Sequence, residues 1–224
     1  MKTLTIAIDG PAGAGKSTVA KRLAKELGYT YMDTGAMYRA FAWKARQGGI
    51  DLEDEKKLRE ALGQTNIELS EREGNLKVLL DGLDVSSEIR TPELSQWASK
   101  ISALGPVRER MVELQRAMGA RGGMVVEGRD IGTVVFPQAE VKIFLTAGPE
   151  ERAKRRFAEL QSQGKQVSLD ETMEEMKERD RRDQERALAP LRRAEDAVAI
   201  DSTAYGVDEV MERIMQEIKK KMST

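Results

Sequence analysis

Leu4-Thr5-Ile6-Ala7-Ile8-Asp9-Gly10-Pro11-Ala12-Gly13-Ala14-Gly15-Lys16-Ser17 decides the fold. Its first half is a short apolar run that ends at Asp9-Gly10, the pattern of a buried strand. Its second half, Gly10 to Ser17, matches G-x-x-x-x-G-K-[ST]. From Lys16 onward Val19, Ala20, Leu23, Ala24 and Leu27 recur at helical spacing, and Gly28 closes the stripe. The motif therefore sits in its required strand–loop–helix context. Glycines let successive backbone N–H groups curl around a polyphosphate, and the following helix points its positive end at the same anion. Residues Gly10, Pro11, Ala12, Gly13, Ala14, Gly15, Lys16, Ser17 and Thr18 are expected to hold the phosphates of a nucleotide cofactor. Lys16 is expected to reach the β- and γ-phosphates, and Ser17 to ligate Mg²⁺.

Outward from this loop, Tyr29 to Met32 reads as a second strand. Asp33-Thr34-Gly35 follows, then a helix to about Gln47. Strand, loop, helix, strand, helix favours a parallel α/β sheet. From about Asp51 to Arg121 the pattern changes. A charged helix (Glu53 to Leu62) leads to two strand-like runs, Asn66 to Leu69 and Leu76 to Leu80, and the Gly74-Asn75 turn between them predicts a hairpin. Helices over Pro92 to Leu104 and Pro106 to Met118 each carry Pro near the first turn. This stretch reads as an insertion. The α/β pattern then resumes with strands at Met124 to Val126 and Val141 to Leu145, and a helix over Pro149 to Gln163 opening on Glu150 and Glu151. A charged helix over Asp170 to Leu188, a strand at Ala197 to Ile200 and a closing helix over Val207 to Met222 complete the reading. The expected fold class is α/β, a P-loop NTPase-type parallel sheet flanked by helices.

The composition narrows the chemistry. The chain of 224 residues has neither Cys nor His. That excludes thiolate nucleophiles, Zn–thiolate sites and any Ser–His or Cys–His pair. Phosphoryl transfer suits what remains, because it depends on positioning and charge neutralisation. Lys plus Arg number 37 against 38 Asp plus Glu, a formal net charge of −1, which argues against non-specific nucleic-acid binding. No apolar run approaches a membrane span, and Met1 to Thr5 leads straight into a strand without a signal peptide. The expectation is a cytoplasmic protein without membrane or nucleic-acid partners.

The loop alone does not name the reaction, since GTPases, motor ATPases and small-molecule kinases share it. A GTPase would show N-K-x-D; the only asparagines, Asn66 and Asn75, stand in other contexts. No apolar run ends in a Walker-type Asp, and Val125-Val126-Glu127 is the nearest match. This favours a compact kinase. After the second strand, Asp33-Thr34-Gly35-Ala36-Met37-Tyr38-Arg39 offers a hydroxyl, a permissive glycine and an arginine one turn into a helix. It reads equally as a cradle for a second phosphate or as an ordinary helix start, with Thr34 as cap and Arg39 solvated.

Gly10 to Thr18, Asp33 to Arg39, Ser87-Glu88-Ile89-Arg90-Thr91, Glu127-Gly128-Arg129-Asp130-Ile131-Gly132-Thr133-Val134-Val135-Phe136-Pro137 and Lys177-Glu178-Arg179-Asp180 through Ala189-Pro190-Leu191 together resemble the bacterial cytidylate kinase family, a family of P-loop nucleoside monophosphate kinases. The resemblance spans nearly the whole chain. It implies a P-loop core of residues 1–33 and 122–224, a short lid near 152–168, and a nucleotide-monophosphate-binding insertion at 34–121. It implies ATP-dependent phosphorylation of CMP, and of dCMP, by a monomer. Thr34, Arg39, Arg108, Arg129 and Arg179 match positions around the acceptor nucleotide, and Asp130 belongs to the same Gly-Arg-Asp signature. Ser99 and Arg186 match positions near the base, and Asp183 with Arg179 the region of the sugar. Lys16, Arg129 and Arg179 are the implied catalytic residues. Arg179, Asp183 and Arg186 are spaced i, i+4, i+7 and would share one helical face, although a solvated helix laced with ion pairs fits the same residues. Arg152, Arg155 and Arg156 fall where the family has its lid, or form a solvated stripe. The rival readings are a kinase for another acceptor, such as UMP, AMP or a small metabolite, and a P-loop switch without an acceptor.

Overall fold

In the computed structural model, which describes residues 3–72 and 75–222, the glycine-rich loop joins strand β1 (Thr5–Asp9) to helix α1 (Lys16–Leu27). The apolar stripe expected on α1 is the face it buries: Val19, Ala20, Leu23 and Ala24. Gly28 ends the helix in the left-handed region (φ 66), where its N–H and that of Tyr29 take up the last carbonyls.

The chain divides into two units, Met1–Tyr31 with Gly122–Thr224, and Met32–Arg121. The boundary falls within strand β2 (Thr30–Asp33). Helices α2 (Thr34–Gln47) and α3 (Glu55–Gly63) follow, then strands β3 (Ile67–Arg72), β4 (Asn75–Leu80) and β5 (Leu83–Asp84), and helices α4 (Pro92–Ile101) and α5 (Gly105–Gly119). β3 and β4 pair antiparallel, as the hairpin reading required, though Gly74 of the expected turn lies outside the described residues. β5 adds a third antiparallel strand that was not expected; two exposed residues carry no alternation to read.

The first unit continues with β6 (Met124–Gly128), a π-helical turn (Ile131–Val135), β7 (Val141–Thr146), α6 (Pro149–Ser162), α7 (Leu169–Glu185), β8 (Val198–Asp201) and α8 (Val207–Met222). Strand order is β2-β6-β1-β7-β8. β1 lies parallel to β6 and β7, and β7 parallel to β8. Ile6, Ala7, Ile8, Val125, Val126, Ile143 and Leu145 form the sheet's buried centre. The chain runs from β1 to β2 on one side of β1, and crosses to β7 on the other. The loops after β1 and β6 leave adjacent strand ends, the position at which open α/β sheets bind ligands.

Most element boundaries shift from expectation by one to three residues, and two of the shifts near the carboxyl end bear on the site residues or close the sheet. The charged helix stops at Glu185 and not at Leu188, which puts Arg186 outside it with extended backbone (φ −58, ψ 137). Pro190 disfavours helical backbone at Ala189, which stands at φ 49. The chain instead doubles back so that the Leu191 N–H takes the Asp183 carbonyl at 2.7 Å. The last strand is Val198–Asp201, one residue later than its apolar run suggested.

Candidate active site

The donor loop is shaped by contacts that only glycine tolerates. A Cβ on Gly10 (φ 151) would stand 1.9 Å from the Leu145 carbonyl oxygen on β7, and one on Gly13 (φ 73) 2.7 Å from that of Arg152 on α6. Gly15 caps α1 without a side-chain hydrogen bond, so the first turn keeps N–H groups for an anion. Lys16 is buried, and its Nζ donates to the Pro11 carbonyl at 2.6 Å. Burial pushes its pKa down to about 7; Arg129 and Arg179 push the same way, while Glu127 and Asp9 oppose them. Ser17 and Thr18 follow, exposed on the first turn of α1.

Ser17 Oγ donates to Glu127 Oε2 at 3.0 Å, and the Tyr31 hydroxyl donates to Glu127 Oε1. Glu127 is buried near the carboxyl end of β6. Glu127 stands where the sequence offered no Walker-type Asp, on a strand that also carries Met124, Val125, Val126 and Gly128. Among the described residues no group of three or more His, Cys, Asp or Glu could form a metal cage. Mg²⁺ needs none, because it usually takes one or two protein oxygens beside substrate phosphates. The Ser17 hydroxyl and Glu127 carboxylate fit that requirement.

The acceptor-side residues of the first unit gather around two aspartates. Arg129, directly after β6, donates from Nε to Asp183 Oδ2 at 2.9 Å, and Arg179 Nε lies 3.9 Å from the same oxygen. Burial raises the Asp183 carboxyl, but Arg129, Arg179 and Arg186 outweigh it and hold its pKa below the ordinary value. Burial likewise pulls Arg129 down, and the charge and hydrogen bond of Asp183, together with the charges of Asp180 and Glu127, more than reverse this. Arg186 Nη2 stands 3.5 Å from Asp130 Oδ1, while its Nε donates to the Ala189 carbonyl at 2.7 Å. The helical-face argument thus holds for Arg179 and Asp183 only. Arg186 enters the cluster from the loop, through Asp130.

The expected lid arginines have three different settings. Arg152 is buried, donates to the carbonyls of Ala147 (2.9 Å) and Ala12 (3.2 Å), and pairs with Asp180 of α7. Arg155 binds the Ser202 hydroxyl (3.0 Å) and carbonyl (2.7 Å), and Arg156 pairs with Glu159 at 2.8 Å.

In the second unit Asp33, and not Thr34, caps α2, with Oδ1 accepting the Ala36 N–H at 2.9 Å. Its other oxygen pairs with Arg39 Nη2 at 2.9 Å. Arg39 is therefore a half-buried, ion-paired cation and Thr34 a buried hydroxyl. Ser99 on α4 and Arg108 on α5 are buried as well. Both meet Ser102: its carbonyl accepts Arg108 Nη1 at 3.1 Å, and its hydroxyl donates to the Ser99 carbonyl at 2.8 Å.

The family model for cytidylate kinase matches residues 6–220. The chain belongs to the cytidylate kinase family. It is 54% identical to the cytidylate kinase of Pelotomaculum thermopropionicum over 95% of both chains. It is 50% identical to that of Bacillus subtilis over 98% of both. Among solved structures, it resembles a shikimate kinase from Acinetobacter baumannii, with a TM-score of 0.51 and 15% identity over 98% of this chain and 94% of that one. It also resembles an uncharacterised protein from Eubacterium ventriosum, with a TM-score of 0.55 and 14% identity over 98% and 99%. These two likenesses bear on the fold alone, and they agree with the expected P-loop-type α/β class.

For this cytidylate kinase family member, sequence reading missed Tyr31 and passed over Glu127 as an imperfect Walker acid. Glu127 was findable from the apolar run ending on a carboxylate. Tyr31 carried no signal, because its role depends on how strands far apart in sequence sit side by side.

Proposed function

We propose that the chain transfers the γ-phosphoryl group of ATP directly to a 5′-phosphate oxygen of CMP, and of dCMP, giving the diphosphate and ADP. One observation carries this reading: the loop that holds Lys16 and the residue Arg129, bonded to the Asp183 that Arg179 also faces, leave neighbouring strand ends at Asp9 and Gly128. A lysine aimed at the donor phosphates and arginines fit for the acceptor phosphate thus share one field. Two polyanions must meet in this reaction, and fixed cations offset their repulsion and hold the reacting oxygens in line. The acceptor oxygen is already anionic, so no strong general base is required.

In this reading the loop amides from Gly10 to Gly15 and the first turn of α1 bind the ATP phosphates. Lys16, Arg129 and Arg179 stabilise charge on the transferring group. Ser17 and Glu127 are the residues that would hold Mg²⁺, which would supply further neutralisation of phosphate charge when bound. Residues 34–121 are assigned as the nucleotide-monophosphate-binding insertion, with Thr34, Arg39, Ser99 and Arg108 contributing to the acceptor. Asp183 with Arg179 is assigned to the sugar, and Arg186 with Asp130 to the base. In the stretch 152–168 proposed as a lid, Arg152 anchors α6, Arg155 and Arg156 are both candidates for ATP, and residues 161–166 are exposed. A monomer is proposed as the working unit. Substrates of this kind fit a cytoplasmic enzyme, and among the described residues no helix is long and apolar enough to cross a membrane.

Stoichiometry tests the proposal. ATP consumption should rise on adding CMP, with one CDP formed per ADP. ATP hydrolysis without CDP, or turnover indifferent to CMP, would refute it.

A further inference from the structure

Asp9 is the last residue of β1 and immediately precedes the donor loop. Its buried carboxylate splits between two backbone donors: Oδ1 accepts the Ile131 N–H at 2.8 Å and Oδ2 the Gly132 N–H at 2.8 Å. These amides open the π-helical turn Ile131–Val135. Its preceding residue, Asp130, supplies no side-chain cap; its carbonyl instead accepts the N–H groups of Val134 and Val135. A helical turn begins with N–H groups that its own carbonyls cannot satisfy. Here a carboxylate from a strand over a hundred residues earlier satisfies them.

The same residue also fixes the other end of the segment. Asp9 is the register partner of Gly128, where the β1–β6 ladder ends. Between Gly128 and Ile131 lie only Arg129 and Asp130. The span that carries both side chains is therefore pinned to Asp9 at each end, through the ladder on one side and through the carboxylate on the other. Aspartate suits this task better than its near relatives. Asparagine offers one oxygen and sets an N–H₂ donor against the second amide, and glutamate is a methylene longer. Space is also tight: a Cβ on Gly132 would lie 3.4 Å from Asp9 Oδ2 and 3.1 Å from Lys142 Cδ.

We propose that Asp9 is a positioning residue for the acceptor nucleotide, holding the Arg129–Asp130 span so that Arg129 meets Asp183 and Asp130 meets Arg186. The inference rests on the kinase reading above. Asp9 touches neither substrate; it acts through the arginine and the aspartate that do.

Two variants of the full chain, Asp9→Asn and Asp9→Ala, test this beside the wild type. The Asn variant keeps the shape and loses one acceptor; the Ala variant leaves both buried amides without this partner, at a cost typical of unsatisfied groups. KM for CMP should rise about tenfold in Asp9→Asn and further in Asp9→Ala, with KM for ATP within about twofold of wild type. Partial unfolding would lower apparent kcat and leave both KM values alone, so the split between substrates isolates positioning from stability. Amide hydrogen exchange, read residue by residue, should accelerate at Ile131 and Gly132 in both variants and stay slow along α8. Equal rises in both KM values, an unchanged KM for CMP, or undisturbed exchange at Ile131 and Gly132 would overturn the proposal. CDP formation by the wild type is scored separately. If it is absent, the kinase reading falls and the role assigned to Asp9 falls with it, whatever the exchange shows.

Discussion

The donor loop between β1 and α1 and the acceptor-side cluster after β6 both offer positive potential to phosphate, but from different materials. The loop is one contiguous stretch whose binding groups are backbone amides. Its shape depends on Gly10 and Gly13 lying against the backbone of β7 and α6. The cluster is made of side chains brought together from distant segments, with Arg129 and Asp183 separated by 54 positions. Arginines outnumber aspartates in it, and its order depends on ion pairs. Backbone amides carry no titrating charge and give little discrimination beyond phosphate, so on the donor side pH acts through Lys16, whose pKa is pushed down to about 7. A side-chain cluster can read a base and a sugar, and it is exposed to changes of charge.

The largest effect expected is on the cluster. Asp183→Ala leaves Arg129 and Arg179 without the carboxylate between them, and breaking a buried pair on one side costs about 3–5 kcal/mol. Chemical denaturation should show that loss, together with a raised KM for CMP. Asp183→Asn sharpens the contrast through pH. The folded pKa of Asp183 is depressed, so its contribution is complete above the ordinary aspartate value and is lost as pH falls through the folded one. The stability gap between wild type and Asp183→Asn should be constant near neutrality and close in acid below the ordinary aspartate range. A gap that widens in acid would contradict the ion-pair account.

On the donor side, Lys16→Ala should lower kcat by about 10²–10³, as expected for losing one fixed charge aimed at the transition state. Its circular dichroism spectrum should be that of the wild type. Near-normal kcat in a folded variant would remove Lys16 from the chemistry.

Arg186→Ala should narrow the preference for CMP over UMP by about 1–3 kcal/mol, the usual worth of a polar contact whose loss leaves a buried group unpaired. Equal loss on both acceptors would move Arg186 from the base to a phosphate. The smallest effect belongs to Tyr31→Phe. It removes one hydrogen bond from Glu127, worth about 1 kcal/mol. It should weaken Mg²⁺ binding to the ATP-loaded protein several-fold, read by titration calorimetry, with the fold unchanged.

The same contrast explains what the sequence made legible. The donor loop could be read because its spacing, flanking strand and helical stripe lie within a single window from Leu4 to Gly28. Most other strands and helices followed from local signals of the same kind (apolar runs, turn residues and prolines at helix starts), although β5 did not. Arg186 was misplaced on a helix because charge periodicity continues to Glu185, while Pro190 and the Leu191–Asp183 bond end the helix there. The π-helical turn at Ile131–Val135 is too short to show a period, and it is held by Asp9 from another strand. Tyr31 and Asp9 read as ordinary strand residues; their partners are set by the order β2-β6-β1 across the sheet. Resemblance supplied Arg179 and Asp183 where local pattern left a solvated helix equally open, and Arg129 where it left a surface arginine in a loop; their shared Asp183 oxygen explains why these residues belong together.

The most direct test is an acceptor panel, measuring kcat/KM with labelled ATP for CMP, dCMP, UMP, AMP and a non-nucleotide phosphate ester. A cluster that reads base and sugar predicts CMP and dCMP well ahead of UMP and AMP, with the ester scarcely used. Comparable rates for all five, or a faster reaction with UMP or AMP, would contradict it and leave only the donor loop standing.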